Sequence, residues 1–294
     1  MAADQHYFNL KNYTFKETPK WVRTLFMVLE YVVLVLFSLI VLLPLVVVIF
    51  GSLKTSSELV NSNVFALPQN PQFSNYATAF INGNVLLGLG NTAIIMVISC
   101  FGAIITGTMT AYVLQRFNMP MTRITKATFL FCALLPNISM QVTVFQVVNK
   151  LHLYNTMAAP IILYIGTDIV AVTIFIQFLE NVSVSLDESA FLDGCNYFRI
   201  YWSIILPLLR PAIGTVLVIK FVGIYNDFYT AQLYMTKDSL AVVSTALYRF
   251  MGPFGARWEI IFAGIIICII PTLIIFLALQ KFIYSNMVGG SVKE

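Results

Sequence analysis

FMVLEYVVLVLFSLIVLLPLVVVIF, residues 26–50, is a run of 25 residues that carries one charge, Glu30. A bilayer core takes about 20 predominantly apolar residues as one helix. Within hydrocarbon every backbone polar group must be bonded internally, which leaves the helix as the structure for such a run. A secretory signal has an apolar core of only about 7–15 residues and a small-residue cleavage site. This run is longer and no such site follows, so it predicts a retained first span. Five further stretches have the same character, at roughly 86–114, 127–148 (containing Pro136), 157–179, 208–233 and 260–282. The whole 294-residue chain is 59% hydrophobic and 10% charged. Soluble domains carry about a quarter charged residues, and a soluble fold this apolar would have too little polar surface to stay dispersed. The expected fold is therefore all-α, a polytopic membrane protein of six transmembrane helices.

An even number of spans puts both termini on one side, and Lys and Arg choose which. Cytoplasmic loops are enriched in these residues. The tail before the first span, the second and fourth loops and the C-terminal tail together hold eleven, among them Lys11, Lys16, Lys20, Arg23, Arg116, Arg123, Lys126, Arg199 and Arg210. The opposite side holds five: Lys54, Lys150, Lys237, Arg249 and Arg257. Both termini are thus expected in the cytosol. The organisation this implies is a cytoplasmic segment at 1–25, a membrane domain at 26–282 and a cytoplasmic tail at 283–294. The first external loop, 51–85, is turn-rich, with Pro68, Pro71 and several Asn, and reads as short surface structure.

The fourth loop, Leu186-Asp-Glu-Ser-Ala-Phe-Leu-Asp-Gly-Cys-Asn-Tyr-Phe-Arg-Ile-Tyr-Trp-Ser-Ile-Ile-Leu-Pro207-Leu-Leu-Arg-Pro211, is the one polar interruption with a recognisable design. Asp187 and Glu188 suit the positive end of a helix. Ala190, Phe191 and Leu192 continue it, and Gly194 stops or bends it. A second amphipathic stretch from Tyr197 to Ile205 leads to Pro207 and Pro211, which set the angle at which the fifth span begins. On spacing alone this helix–Gly–helix unit fits equally a docking element, with Ser189, Ala190 and Gly194 allowing close approach, and an ordinary interfacial loop.

The segment resembles the "EAA" loop of bacterial ABC-importer permeases: Glu-Ala-Ala, three residues, Gly, then a longer gap to an apolar-Leu-Pro. The corresponding residues are Glu188, Ser189, Ala190, Asp193, Gly194, Ile205, Leu206 and Pro207, with Ser189 standing where the middle Ala is usual. Other landmarks match in order: Asn75-Tyr76, Asn91-Thr92, Pro136, Leu153-Tyr154-Asn155-Thr156, Tyr225-Asn226-Asp227-Phe228 and a tail Gly289-Gly290-Ser291-Val292-Lys293. Together they resemble the second permease of carbohydrate importers of the maltose-transporter type, over nearly the whole chain.

The resemblance implies a type I ABC importer permease fold in the bacterial cell membrane. It implies a second, non-identical permease, two ATP-binding subunits that grip the EAA loops (181–211 here), and an extracytoplasmic solute-binding protein. ATP and Mg would be bound by the partner ATPases and no cofactor by this chain. ATPase coupling falls to Glu188, Ser189, Ala190, Asp193, Gly194, Leu206 and Pro207. The expected cargo is a sugar, di- or oligosaccharide. Polar groups in spans are costly and usually face a cavity or partner. Lys220 and Asp227, seven apart and so on one helix face, with Tyr225, Asn226, Tyr229 and Gln141, are candidates to line the sugar path. Asp168, Gln146 and Gln177 are further polar groups in spans. The same residues also fit a packing role. Pro136 and Pro271 are expected to kink their helices.

Other functions lack their equipment. No GxxxxGK[ST] phosphate loop is present, and the two histidines, His6 and His152, belong to no nucleophilic triad. Cys100, Cys132, Cys195 and Cys268 form no CxxC pair or zinc spacing, so neither a metal nor a disulfide is expected. Basic residues are not clustered as nucleic-acid binding needs. The expectation is a non-catalytic membrane subunit. The alternatives are an ABC permease for another solute, such as an amino acid or polyamine, and an intramembrane enzyme or a channel. An anion carrier would place Lys or Arg in its path, and only Lys220 qualifies.

Overall fold

A computed structural model of the chain describes residues 19–135, 137–166, 168–252 and 255–289. In chain order the helices are α1 (Lys20–Ser52), α2 (Ser56–Asn61), α3 (Ser74–Asn82), α4 (Val85–Arg116), α5 (Pro120–Ala133), α6 (Asn137–Lys150), α7 (Ala158–Ile165) and α8 (Ile169–Glu180). They continue as α9 (Ser185–Leu192), α10 (Tyr197–Ile200), α11 (Leu206–Leu208), α12 (Arg210–Asn226), α13 (Tyr229–Tyr234), α14 (Val243–Ala246) and α15 (Trp258–Gly289). A two-stranded antiparallel ribbon, β1 (Met251–Gly252) with β2 (Gly255–Ala256), precedes α15.

Four stretches among the described residues are long and apolar enough to cross a membrane: Trp21–Ser52, Val85–Arg116, Ala158–Glu180 and Trp258–Leu277. A fifth is the pair Tyr197–Leu208 and Arg210–Asn226, bent by 72°. Three of the expected spans are interrupted rather than continuous. The stretch at 127–148 is divided between α5 and α6, each of 14 residues and so only about 21 Å long. The chain leaves the helix at Leu134 and Leu135, ahead of a proline whose ring disfavours α geometry in the residue before it. Pro136 itself lies outside the described residues, as do the tail residues 290–294. The fourth span breaks between α7 and α8. The fifth stops at Asn226, where Asp227 turns extended at ψ 99° before α13. By contrast α15 runs on through Pro271.

The described helices gather around α4. It packs on α7, α8 and α12, while α12 also meets α15, and α15 in turn lies along α1. Small residues allow the close approaches that membrane packing relies on; a Cβ at Gly107 would sit 3.1 Å from the Phe175 ring. The largest buried cluster joins Ala111 and Tyr112 of α4, Phe175 and Leu179 of α8, and Ile200, Ile205 and Leu209 of the fourth loop. The core thus continues into that loop, which gives it a rigid base.

Loops between the long helices are fastened by asparagines. Asn75 donates both amide hydrogens, to the carbonyls of Ser52 and Lys54, each at 2.9 Å, and so finishes the end of α1. Tyr76 shares a 2.8 Å hydrogen bond with Ser52. Lys54, counted by sequence as an external charge, is buried and donates to Ser62 Oγ and the Asn63 carbonyl. Asn91 of α4 holds the carbonyls of Ser239 and Ala241 at 3.0 and 2.9 Å, and Thr92 Oγ1 accepts from the Val243 amide. Asn155 Oδ1 accepts from the amides of Thr236 and Lys237. Asn91→Ala strands two carbonyls in a buried place. It is expected to cost about 2–3 kcal/mol, seen as a lowered unfolding temperature of the detergent-purified protein.

Candidate functional site

The fourth loop forms the helix–Gly–helix unit that its residues predict. In α9, Asp187 and Glu188 occupy the first turn. The helix ends in a Schellman closure: the Cys195 amide donates to the Ala190 carbonyl and the Gly194 amide to the Phe191 carbonyl, both at 3.0 Å. That closure needs a left-handed residue after the cap, and Gly194 supplies it at φ +85°. A Cβ there would meet nothing within 4 Å, so the backbone, not crowding within the chain, demands glycine. Asn196 then caps α10, its Oδ1 accepting from the Arg199 amide at 2.8 Å. A π turn spans Tyr201–Ile205. Pro207 brings no amide to bond the Ser203 carbonyl four residues back, and the turn upstream widens accordingly. The 72° bend between Tyr197–Leu208 and Arg210–Asn226 falls at Leu209, between Pro207 and Pro211.

Glu188, Ser189, Asp193 and Gly194 are exposed, Ala190 is buried, and Leu206 and Pro207 are half-buried. The unit therefore has an outward polar edge and an inward apolar root. Beside it lies a cavity of about 480 Å³ lined by Tyr112, Arg116, Phe191, Leu192 and Tyr197 among others. Phe191 stacks on Tyr197 at 5.4 Å, and Leu192 stands 86% exposed.

Asp187 is the residue that sequence reasoning undervalued. It is buried, and Tyr112 donates to its Oδ1 at 2.8 Å. The Arg116 Nε lies 3.0 Å from its Oδ2 with both side chains nearly buried; the approach is off the N–H axis, an ion pair rather than a straight hydrogen bond. Arg116 Nη2 donates to the Val182 carbonyl at 2.9 Å. One level deeper, the Tyr201 hydroxyl bonds Thr108 Oγ1 at 2.8 Å. The loop is thereby anchored to the end of α4. The signal in the sequence is Tyr112 and Arg116 at i, i+4 spacing, hence on one face, with an acidic pair in the loop; a count of loop charges uses Arg116 for topology alone.

The polar groups of the spans are brought together differently from the expectation. Lys220 and Asp227 do not share one helix face, because α12 ends at Asn226. The Lys220 Nζ lies 2.8 Å from Asp168 Oδ2 and donates to the Tyr164 carbonyl. Asp168 caps α8 by accepting from the Ala171 amide at 3.1 Å. Asp227 lies just past the end of α12 rather than on its face, accepting from the Tyr164 hydroxyl and from the Thr230 amide, each at 2.9 Å. Helical periodicity breaks at the residue it was applied to, so the shared face was not the organising feature. Tyr225 is buried, its hydroxyl donating to the Cys268 carbonyl at 2.6 Å. Asn226 and Tyr229 are exposed. Gln141 sits on α6 outside this set, with a buried Oε1 that has no partner among the described residues. Gln146 and Gln177 are exposed. Between α12 and α15 opens a cavity of about 510 Å³, whose mostly apolar wall includes Phe221, Tyr225, Asn226, Ser244 and Thr272.

Comparison with known proteins adds a family and a set of relatives. Residues 103–288 match the family described as "Binding-protein-dependent transport system inner membrane component". The chain is 31% identical over 261 residues to the "Probable starch degradation products transport system permease protein AmyC" of Thermoanaerobacterium thermosulfurigenes, covering 88% of this chain and 94% of the relative. It is 28% identical over 267 residues to the arabinooligosaccharides transport system permease protein AraQ of Bacillus subtilis, covering 87% and 92%. The fold is similar to a chain in the crystal structure of a bacterial ABC transporter involved in the import of the acidic polysaccharide alginate, with TM-score 0.77, 20% identity and coverage of 90% and 98%.

Proposed function

The chain belongs to the family of inner membrane components of binding-protein-dependent transport systems, and from that premise we propose that it carries a di- or oligosaccharide inward in an ATP-driven importer. It is a non-catalytic, multi-pass permease of the cytoplasmic membrane. The cargo class rests on the relatives named for starch degradation products and arabinooligosaccharides. On this reading the chain adopts six spans with both termini in the cytosol and pairs with a second, non-identical permease. Two ATP-binding subunits, which hold ATP and Mg, sit beneath, and an extracytoplasmic binding protein delivers the sugar.

The observation that carries the coupling role is the build of the fourth loop. Glu188, Ser189, Asp193 and Gly194 present a polar edge outward, while Ala190 and Asp187 root the same helix in the core. A rigid, short helix with an exposed edge transmits a push; a pliant loop absorbs it. Leu206 and Pro207 stand where that push passes through the 72° bend into α12. ATPase closure would move α9, swing α12, and alternate the access of a pathway between the two permeases. Along that pathway Asn226, Tyr229 and the Tyr225 ring suit sugar hydroxyls and ring faces, with Gln141 as a further amide. Lys220 and Asp227 stand behind them as supports. An anionic cargo is disfavoured because Lys220 is already paired with Asp168.

Proteoliposomes holding this chain with its partner permease, ATPase subunits and binding protein test the reading. Accumulation of oligosaccharide that needs both ATP and the binding protein is the expected result. Uptake of amino acids or polyamines in place of sugar would overturn the cargo assignment, and uptake without ATP would overturn the importer.

A further inference from the structure

We propose that Lys220 is a tethered cation that fills an ion site at the broken fourth span, holding its two halves together and to α12. The helix stops at Ile165 and restarts at Ile169, with Gly166 in extended conformation at ψ 151°. Two half-helices therefore meet inside one membrane span. The last carbonyls of α7 have no intrahelical amide to bond and carry the negative end of its dipole. Opposite them stands the Asp168 carboxylate, which caps α8. Between the two lies the Lys220 ammonium, donating to the Tyr164 carbonyl and 2.8 Å from Asp168 Oδ2, with both side chains more than four-fifths buried.

A carbonyl and a carboxylate converging on a positive charge is a ligand set for a hard monovalent cation. Transporters with interrupted helices place free cations against half-helix C-terminal ends and unwound carbonyls. Here the lysine arm delivers the charge covalently, so the site is always filled and no ion gradient enters the cycle. That suits a cycle driven by ATP, and to this extent the inference rests on the transport reading above.

Tyr164 extends the tie. Its carbonyl takes Lys220, while its hydroxyl donates to Asp227 Oδ2 at 2.9 Å. Asp227 in turn accepts from the Thr230 amide through Oδ1 and from Ser244 Oγ through its carbonyl, both at 2.9 Å. The break in the fourth span is thus fastened to the middle of α12 by Lys220 and to its end by Asp227. Because α12 begins at the bend below the fourth loop, movement of that loop reaches the break through these two positioning residues.

The test removes the tethered charge and offers free ones. Lys220→Ala and Lys220→Met are prepared in the full complex, with the double change Lys220→Met with Asp168→Asn. Unfolding temperature and ATP-dependent uptake are measured at matched ionic strength in sodium, potassium, methylammonium or N-methyl-D-glucamine chloride. The native complex should be indifferent to the cation. Lys220→Ala should lose uptake by at least about tenfold in the bulky cation, because an uncompensated buried carboxylate is left behind. Sodium or methylammonium should restore part of the uptake and raise the unfolding temperature. The double change should be more stable than Lys220→Met alone. A Lys220→Ala complex indifferent to the cation in both readouts overturns the proposal; so does a double change no more stable than the single one, a comparison that stands even where Lys220→Ala assembles poorly. If the unfolding temperature responds to cation while the native complex takes up no sugar, the transport reading fails and the ion site stands.

Discussion

Arg116→Ala is expected to detach the fourth loop from α4 and to cost about 3–5 kcal/mol, the usual penalty for removing one partner of a buried ion pair. The reason is what remains. Asp187 is only 8% exposed, so its carboxylate would keep the Tyr112 hydroxyl as donor and lose the guanidinium that neutralises it. The Val182 carbonyl would lose its donor as well. Arg116→Lys should recover little, because a single ammonium cannot reach both the carboxylate and the carbonyl that the guanidinium fork spans. The double change Arg116→Met with Asp187→Leu should recover much of the stability, since it removes the stranded charge along with its partner. Unfolding temperature reads the first effect. Copurification of the ATPase subunits and uptake read the second, and both should be lost in Arg116→Ala and stay low in the double variant, whose loop is no longer oriented by a directional contact. An Arg116→Ala complex with native stability and native uptake would show that the anchor does not matter.

Gly194→Val should abolish uptake, by more than about tenfold, while the chain still inserts and pairs with its partner permease. At φ +85° an ordinary L-residue pays roughly 1–2 kcal/mol, and a β-branched one is a true outlier there. The Schellman closure at Ala190 and Phe191 would open, and with it the angle between α9 and α10. The expected series separates two causes. If the backbone decides, Asn, which tolerates left-handed geometry, should be milder than Ala, and Val worst. If a docked ATPase needs the space, the order should follow side-chain volume, with Ala mildest, because nothing in this chain lies within 4 Å of the missing Cβ. Native uptake and native ATPase recruitment in Gly194→Val would remove the loop from the coupling role.

The parts of the fold that were legible are those written in local periodicity. A run such as 26–50 commits the chain to helix in a membrane, because hydrocarbon leaves the backbone no other donor or acceptor. The spacing from Asp187 through Gly194 to Pro207 was likewise readable, because a helix start, a left-handed stop and a proline act within one turn of themselves. Legibility ended where the answer depends on residues distant in the chain. Lys220 and Asp168 are 52 positions apart, and the seven-residue spacing that sets Lys220 and Asp227 on one helix face carries no sign of that pair. Asp227 proved to lie beyond the helix end, bonded to Tyr164. Asn75, Asn91 and Asn155 were visible as landmarks, but their work, bonding carbonyls and amides of other loops, was not. Neither was the break at Gly166, since an apolar run reads the same whether or not its helix is interrupted, whereas Pro136 marked the place of the break at Leu134.

The sequence by itself determined that this chain is a helical membrane protein and that its fourth loop is two short helices hinged on Gly194. Both follow from bonding within a few residues, which any folded form of the chain must satisfy. Only the tertiary structure decided that Asp187 is the root of that loop, and that Lys220 is bound to the broken fourth span. A buried charge is tolerated only beside its partner, and which partner it meets is set by how α4, α8 and α12 pack, a choice no local stretch of sequence contains.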